Sequence, residues 1–343
     1  MPPLANSSDG PPAIPVLDTG RDFPVATLAH FKDRAHALFD SATAHYPSRA
    51  LTALDKISRA WLARWDNAHL PEIDAIAVAM GRPGTYFFSV NYEWGCTCRV
   101  APSPDGRSAR LVRVLDWLTP GLGANVVAVR VSGAPAGAFS ILTWPGYSGV
   151  LQVMAPGRFS AALNQAPMRN SSGLYYVDWA VGRGRVWGMP HSTPAHLLRD
   201  VSETATTFTQ AKDMLCKTPV STPGIYTLAG LEADELAVVE RQENDFRLRE
   251  GPGVAANHWE TAGWQGHPRG VDSAGRARQM CAVTPSFDKT LAWLQPPVLN
   301  ARTRLALVAD AREGRMIAQG FEAMKAATCV LDLAADGALL PLP

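Results

Sequence analysis

Cys96 is the residue whose setting most favours covalent chemistry. It follows Gly95, and a run of β-branched and aromatic residues from Thr85 to Trp94 (TYFFSVNYEW), expected to be a strand, leads straight into it. A thiol so placed can attack the carbonyl of the preceding glycine in an N→S acyl shift. Hydrolysis of the thioester would free a chain beginning at Cys96, with a thiol nucleophile and, in its new α-amine, a base whose unperturbed pKa of about 8 suits proton transfer near neutrality. Spacing alone leaves the alternative of a small buried apolar cysteine. The other candidates are weaker. Cys96, Cys98, Cys216, Cys281 and Cys329 are an odd number without a framework spacing, and Cys96-Thr97-Cys98 lacks the second pair that a metal site needs. Of the eight histidines, His191 and His196 are five apart and His258 and His267 nine apart, and no H-E-x-x-H occurs. No metal and no cofactor is expected. Gly146-Tyr147-Ser148-Gly149-Val150 misses the G-x-S-x-G nucleophile elbow by one position and runs into a strand, which suits a tight turn.

The elements that must position Cys96 follow from patterning. Residues 1–23 are polar and proline-rich and read as a flexible lead-in, without the basic start and apolar run of a signal peptide. Apolar residues at helical spacing predict a helix from Ala26 to about Tyr46, a second from Ser48 through Trp65, and a short third from Pro71 to Gly81. After the turn at Arg82-Pro83-Gly84 the texture becomes strand-like: 109–117, 126–131, 138–144, 149–154 and 159–164. A helical interlude spans Thr193 to Cys216. Strands resume at 224–229, 236–241 and 253–257, a helix is expected over 274–281, and closing strands over 303–310 and 329–333. Helices first and antiparallel strands on either side of a helical middle make this an α+β chain of stacked layers. The length of 343 residues at 47% hydrophobic permits one large core, and 32 basic against 31 acidic residues leave no footprint for nucleic acid. No apolar run is long enough for a membrane span, and a cytoplasmic protein is the expectation.

Several segments, in order, resemble a known family. Gly95-Cys96-Thr97-Cys98-Arg99-Val100 is similar to the cleavage motif of acid ceramidase and N-acylethanolamine acid amidase, which belong with bile-salt hydrolases and penicillin V acylases among the N-terminal-nucleophile hydrolases. Arg113-Val114-Leu115-Asp116-Trp117 answers the family's R-N-[LM]-D-[YF] strand, Pro145 to Val150 its G-Y-x-G turn, and Pro156 to Gln165 its P-G-x-F-S-x-x-x-N-E segment. Tyr226 to Gly230 with Glu235 and Arg241, then Ala256-Asn257-His258-Trp259, and finally Pro297 to Thr303 continue the series. The resemblance implies a four-layer αββα sandwich. Residues 24–95 would be a helical small subunit ending in a strand, and 96–343 the catalytic subunit, the two fragments staying associated after cleavage between Gly95 and Cys96.

It also implies roles. Cys96 would be the nucleophile, with Asp116 holding its amine and Arg113 beside it. Those two residues are an odd number apart, so one strand cannot present both on one face, and a bend or contacts from two directions are needed. The plain alternative is a buried ion pair. Asn257 would give its side-chain N–H to the oxyanion, with a second donor from the backbone at Asn164–Gln165. Loss of one such donor typically costs about 10²–10³ in rate. Gln165 stands where the nearest members carry glutamate, which predicts activity at neutral pH. Cys98 and Val114 replace a serine and an asparagine of the family pattern. Trp117, Leu118, Tyr147, His258 and Trp259 are expected at the substrate, with 117–122 as an apolar lip. The expected activity is hydrolysis of an N-acyl amide, a small molecule with an apolar acyl group. An acyltransferase of the same fold and an unprocessed binding protein are the alternatives.

Overall fold

β8 (Gly224–Ala229), β9 (Leu236–Arg241) and β12 (Thr303–Asp310) are buried along their whole length. A strand apolar on both faces must be covered on both faces, and the computed structural model, which describes residues 10–44, 46–90, 94–334 and 338, supplies that cover with two stacked sheets between helices. The first sheet has the order β1 (Val16–Thr19), β4 (Val127–Val131), β5 (Phe139–Thr143), β6 (Gln152–Ala155), β7 (Phe159–Gln165), β8, β9 and β10 (Phe246–Glu250). The second runs β11 (Gly253–Ala255), β2 (Trp94–Pro102), β3 (Ala109–Trp117), β12, β13 (Arg315–Glu322) and β14 (Lys325–Ala326), with β15 (Leu331–Leu333) also on β13. β2 and β3 lie against β7 and β8. Cys96, Leu115, Leu163 and Tyr226 share the core between the sheets, while Val112 and Val114 face Ala277 and Met280 on the other side.

The outer layers are short, well-capped helices. α7 (Pro194–Thr204) and α8 (Phe208–Lys217) pack on the first sheet. Thr193 and Thr207 accept backbone N–H groups from His196 and Gln210, the side-chain cap expected at a helix start. α9 (Ser273–Cys281) packs on β2 and β11. Its N-cap Asp272 accepts the N–H of Gly275 at 2.9 Å. These layers make the αββα arrangement. α6 (Tyr175–Val186) lies apart from them and exposes Tyr176 and Val181.

The amino-terminal part is helical: α1 (Phe23–His30), α2 (Lys32–Thr43), α3 (Ser48–Arg64), α4 (Leu70–Met80) and α5 (Thr85–Val90). The third expected helix is α4, with proline in its first turn and Gly81 closing it at φ +64°. The first expected helix is broken at Phe31 into α1 and α2. Two expectations are corrected. Val16–Thr19, in the expected lead-in, pairs in parallel with β4, and Ile14 before it is buried. Thr85–Val90, expected as a strand, is helix α5, because Asp55 on α3 accepts the N–H groups of Gly84 at 2.6 Å and Phe87 at 2.9 Å. Residues 91–93 lie outside the described residues. Among the described residues no helix is long and apolar enough to cross a membrane.

Candidate active site

The hairpin of β2 and β3 sets the site. Cys96 pairs with Leu115, Cys98 with Arg113 and Gly95 with Asp116. Directly opposed residues share a face, so Cys96 and Arg113 look into the space between the sheets, while Gly95 and Asp116 look toward α9. The odd separation of Arg113 and Asp116 is thus resolved by contacts from two directions, not by an ion pair between them. Arg113 is fully buried. It donates to Cys96 Sγ at 3.1 Å and to the carbonyl of Leu151 at 2.5 Å.

Asp116 is held by the side chains of Asn300 (3.0 Å) and Thr303 (2.9 Å) and lies 3.5 Å from the guanidinium of Arg276. Burial pushes its carboxyl up, against the opposing pull of Arg276 and the two hydrogen bonds. Burial likewise pushes the Cys96 thiol up to about 12, with Arg113 as the main influence in the other direction. In the continuous chain the thiol is therefore protonated near neutral pH, and no part of Cys96 reaches solvent.

Asn257 follows β11, which pairs with β2. Its Oδ1 accepts the backbone N–H of Cys96 at 2.7 Å and an N–H of Arg276 at 3.0 Å, while its Nδ2 donates to the carbonyl of Gln165 at 2.7 Å. Two donors on one end and a carbonyl on the other leave a single orientation of the amide. Asn257 thus presents its oxygen to the nitrogen that cleavage would turn into an amine. Gln165 accepts the N–H of Trp94 at 2.9 Å and so grips the chain just before the Gly95–Cys96 bond. Asn164 turns the other way, donating to the carbonyls of Ala255 and Ala256 and accepting from Cys98 Sγ. It joins β7 to β11 and does not contact the Cys96 thiol.

Arg276 was not expected. It is fully buried on α9 and donates to the carbonyl of Cys96 (2.7 Å), Thr97 Oγ1 (2.6 Å), Asn257 Oδ1 and the carbonyl of Val271 (2.7 Å). The only signal for it in the sequence is an arginine four residues before Met280, on the apolar side of a short helix. Close approach around the Gly95–Cys96 bond depends on two glycines. A Cβ on Gly270 (φ +71°) would stand 2.7 Å from the Arg276 guanidinium and 3.3 Å from the Gly95 Cα, and one on Gly95 would stand 3.3 Å from the Asp116 Cβ.

Beside this centre is an apolar cavity of about 550 Å³ between α2, α4 and α5 and the 117–122 and 144–147 segments. Trp117, Leu118 and Tyr147 line it. Trp117 stacks on Trp94 at 5.2 Å, which connects the cavity to the strand carrying Cys96. His258 and Trp259 do not line this cavity. His258 sits behind Asn257, with Nδ1 2.7 Å from Ser273 Oγ and Nε2 2.9 Å from Glu260, and Ser273 Oγ accepts the Asn257 backbone N–H. Trp259 packs on Trp264.

The chain is 27% identical over 190 residues to human acid ceramidase, 52% of this chain and 46% of that protein. It is 31% identical over 107 residues to acid ceramidase of Heterocephalus glaber, 31% of this chain and 26% of that one. The chain is similar to the acid ceramidases over these stretches. It spans less than half the length of these curated relatives, and no family model matches it. Among solved structures, the chain is similar to the Caenorhabditis elegans N-acylethanolamine-hydrolyzing acid amidase ortholog (24% identity, 62% of this chain and 92% of that chain, TM-score 0.48). It is also similar to a conjugated bile acid hydrolase from Clostridium perfringens (10% identity, 70% and 92%, TM-score 0.42).

Proposed function

We propose that the chain is an amide-bond hydrolase that first cuts itself between Gly95 and Cys96 and then uses Cys96 on an N-acyl amide. The observation that carries this reading is the setting of Cys96: its thiol lies 3.1 Å from the Arg113 guanidinium, its backbone N–H is 2.7 Å from Asn257 Oδ1, and its carbonyl is fixed by Arg276. In the first step Sγ adds to the Gly95 carbonyl carbon, the C–N bond breaks as the nitrogen takes up a proton, and water hydrolyses the thioester. Residues 1–95 then end in a new carboxylate and stay in place, and Cys96 keeps a free amine. That amine inherits Asn257 as its acceptor and Asp116 across the hairpin.

On a substrate amide the α-amine takes the thiol proton, the thiolate adds to the carbonyl, and the same proton goes to the departing amine. Water then releases the acyl group as a carboxylate. The 550 Å³ cavity, lined by Leu38, Ile76, Met80, Phe87 and Trp117, is the size and polarity for an apolar acyl chain. The names of the relatives, a ceramidase and an N-acylethanolamine-hydrolyzing amidase, agree with an amide of this kind. Intact mass tests the reading. The native chain should yield fragments 1–95 and 96–343, Cys96→Ala should stay a single 36.8 kDa chain, and only the cut protein should release fatty acid from N-acyl amides. Two fragments from Cys96→Ala would overturn the assignment.

A further inference from the structure

α4 starts at a histidine that belongs to a buried pair. His69, its N-cap, lies ring to ring with His196 of α7, the centroids 4.3 Å apart and the planes tilted by 32°. His69 is in residues 1–95 and His196 in 96–343, so the contact joins the two prospective fragments. His196 is fully buried. Its Nε2 is 2.9 Å from Ser148 Oγ, while its Nδ1 has no partner among the described residues. A neutral ring suits that setting, with one N–H given to the hydroxyl. A protonated ring would bring a second N–H with nothing to accept it. Burial, then His69 and Arg199, accordingly hold its pKa well below the ordinary 6.5. The charges around the pair do not answer a cation at His196. Arg199 is bound by Glu72 of α4 at 2.7 Å and by Glu203 at 3.0 Å, and Glu203 also meets Arg21. Asp200 lies 3.3 Å from His69 Nε2 at the exposed edge and does not supply the missing acceptor at His196 Nδ1. β8 brings the phenol of Tyr226, which donates to the Pro194 carbonyl at 3.1 Å, and β7 brings no ionisable group. On α8, Lys217 pairs with Asp213 and Lys212 with Glu250.

Building on the amidase reading above, we propose that the His69–His196 stack is an acid-sensitive latch: it docks α4, and with it one wall of the acyl cavity, near neutral pH and lets α4 go as the solution turns acid. Ile76 and Met80 of α4 line that cavity. Undocking α4 lifts His69 off His196 and admits water to the buried ring. The open form then takes up a proton at the ordinary 6.5, and the docked form refuses it. Docking is therefore at full strength above 6.5 and weakens about tenfold for each pH unit below it, because only the open form binds the proton. At pH 5 the loss is about 30-fold.

Amide hydrogen exchange of the native chain reads the latch without calling on activity. Corrected for intrinsic rates, exchange over α4 (Leu70–Met80) should speed up about 30-fold from pH 7.5 to 5.0, while α9 stays protected as the internal control. His196→Gln keeps a neutral hydrogen-bonding group and should make α4 exchange independent of pH over that range, whatever it does to docking at pH 7.5. His69→Phe keeps the stack, removes its ability to protonate and should give a smaller acid response than the native chain. Dodecan-1-ol, an apolar chain with no amide to cleave, should slow α4 exchange at pH 5 by filling the cavity that α4 walls. An α4 exchange rate that ignores pH, or an acid response as large in His196→Gln as in the native chain, overturns the latch and leaves the amidase reading standing. Exchange unslowed by dodecan-1-ol overturns the coupling to the cavity. The expected exchange in a chain that hydrolyses no N-acyl amide overturns the amidase reading and leaves the latch.

Discussion

Replacing Arg113 by methionine separates the chemistry of Cys96 from its packing. The variant keeps the length of the side chain and removes the cation 3.1 Å from Sγ. A hydrogen bond to a charged group contributes about 1.5–3 kcal/mol, and 1.36 kcal/mol is one pKa unit. Burial already pushes the thiol up to about 12, with Arg113 the largest influence pulling it down. Without the arginine the thiolate fraction at any fixed pH should fall about 10- to 100-fold, and self-cleavage with it, since the thiolate is the nucleophile. In both proteins the cleavage rate should rise about tenfold per pH unit from 6 to 8, because the thiol remains far below half-ionisation across that window.

The assay is intact mass against time for chains made without processing at low pH and then shifted, with Arg113→Lys as a partner that keeps the charge and should recover part of the rate. Loss of the bond to the Leu151 carbonyl also destabilises the fold by about 1–3 kcal/mol, so melting is recorded alongside. Wild-type cleavage by a folded Arg113→Met chain, or a rate independent of pH, would refute the reasoning. The stability of the uncut chain carries the matching sign. A thiol raised from its ordinary 9 stabilises the fold below pH 9, and that contribution is lost as pH climbs toward 12.

Two further outcomes test neighbouring parts. Gln165→Glu puts an ionisable group on the Trp94 N–H, and its hydrolytic activity should fall as pH rises through the carboxylate range while the native protein stays active at pH 7; a native optimum below about 5 would contradict this. Arg199 ties the two prospective fragments together. It contacts Glu72 at 2.7 Å and the carbonyl of Arg21 on one side, and Glu203 at 3.0 Å and the carbonyl of Ser148 on the other. Arg199→Met leaves two carboxylates without this partner and should cost about 3–5 kcal/mol. Size-exclusion chromatography after processing should then show 1–95 separating from 96–343, and co-elution with unchanged melting would count against the clasp.

Much of the frame was legible because it is written in local pattern. The limits of β8, β9 and β12 match the strands expected at 224–229, 236–241 and 303–310. The proposed nucleophile is picked out by Gly95-Cys96, and the two-sided arrangement of Arg113 and Asp116 was legible from an odd separation. What could not be read was decided by distant partners. The composition of Thr85–Val90 favours a strand, yet a carboxylate thirty residues upstream caps it into a helix. Val16–Thr19 is a strand only because the edge of β4 is open to it. Arg276 lies 180 positions from the carbonyl it holds, with no motif to join them. The amide of Asn257 presents its oxygen to Cys96, an orientation set by Arg276 and by the carbonyl of Gln165.

The hold on Cys96 has a consequence for what the uncut chain is. Arg113, Asn257 and Arg276 all grip Cys96 itself, and Gln165 grips the residue on the far side of the bond. Cutting that bond would therefore dismantle none of the apparatus. Under the proposed reading the uncut chain is a finished enzyme stoppered by its own first substrate, tethered at an effective concentration no free amide could match. Latency of this kind also protects. A thiol without solvent contact is spared oxidants and alkylating agents during storage, and it becomes titratable by them when the stopper goes, so that thiol reactivity doubles as a clock for activation.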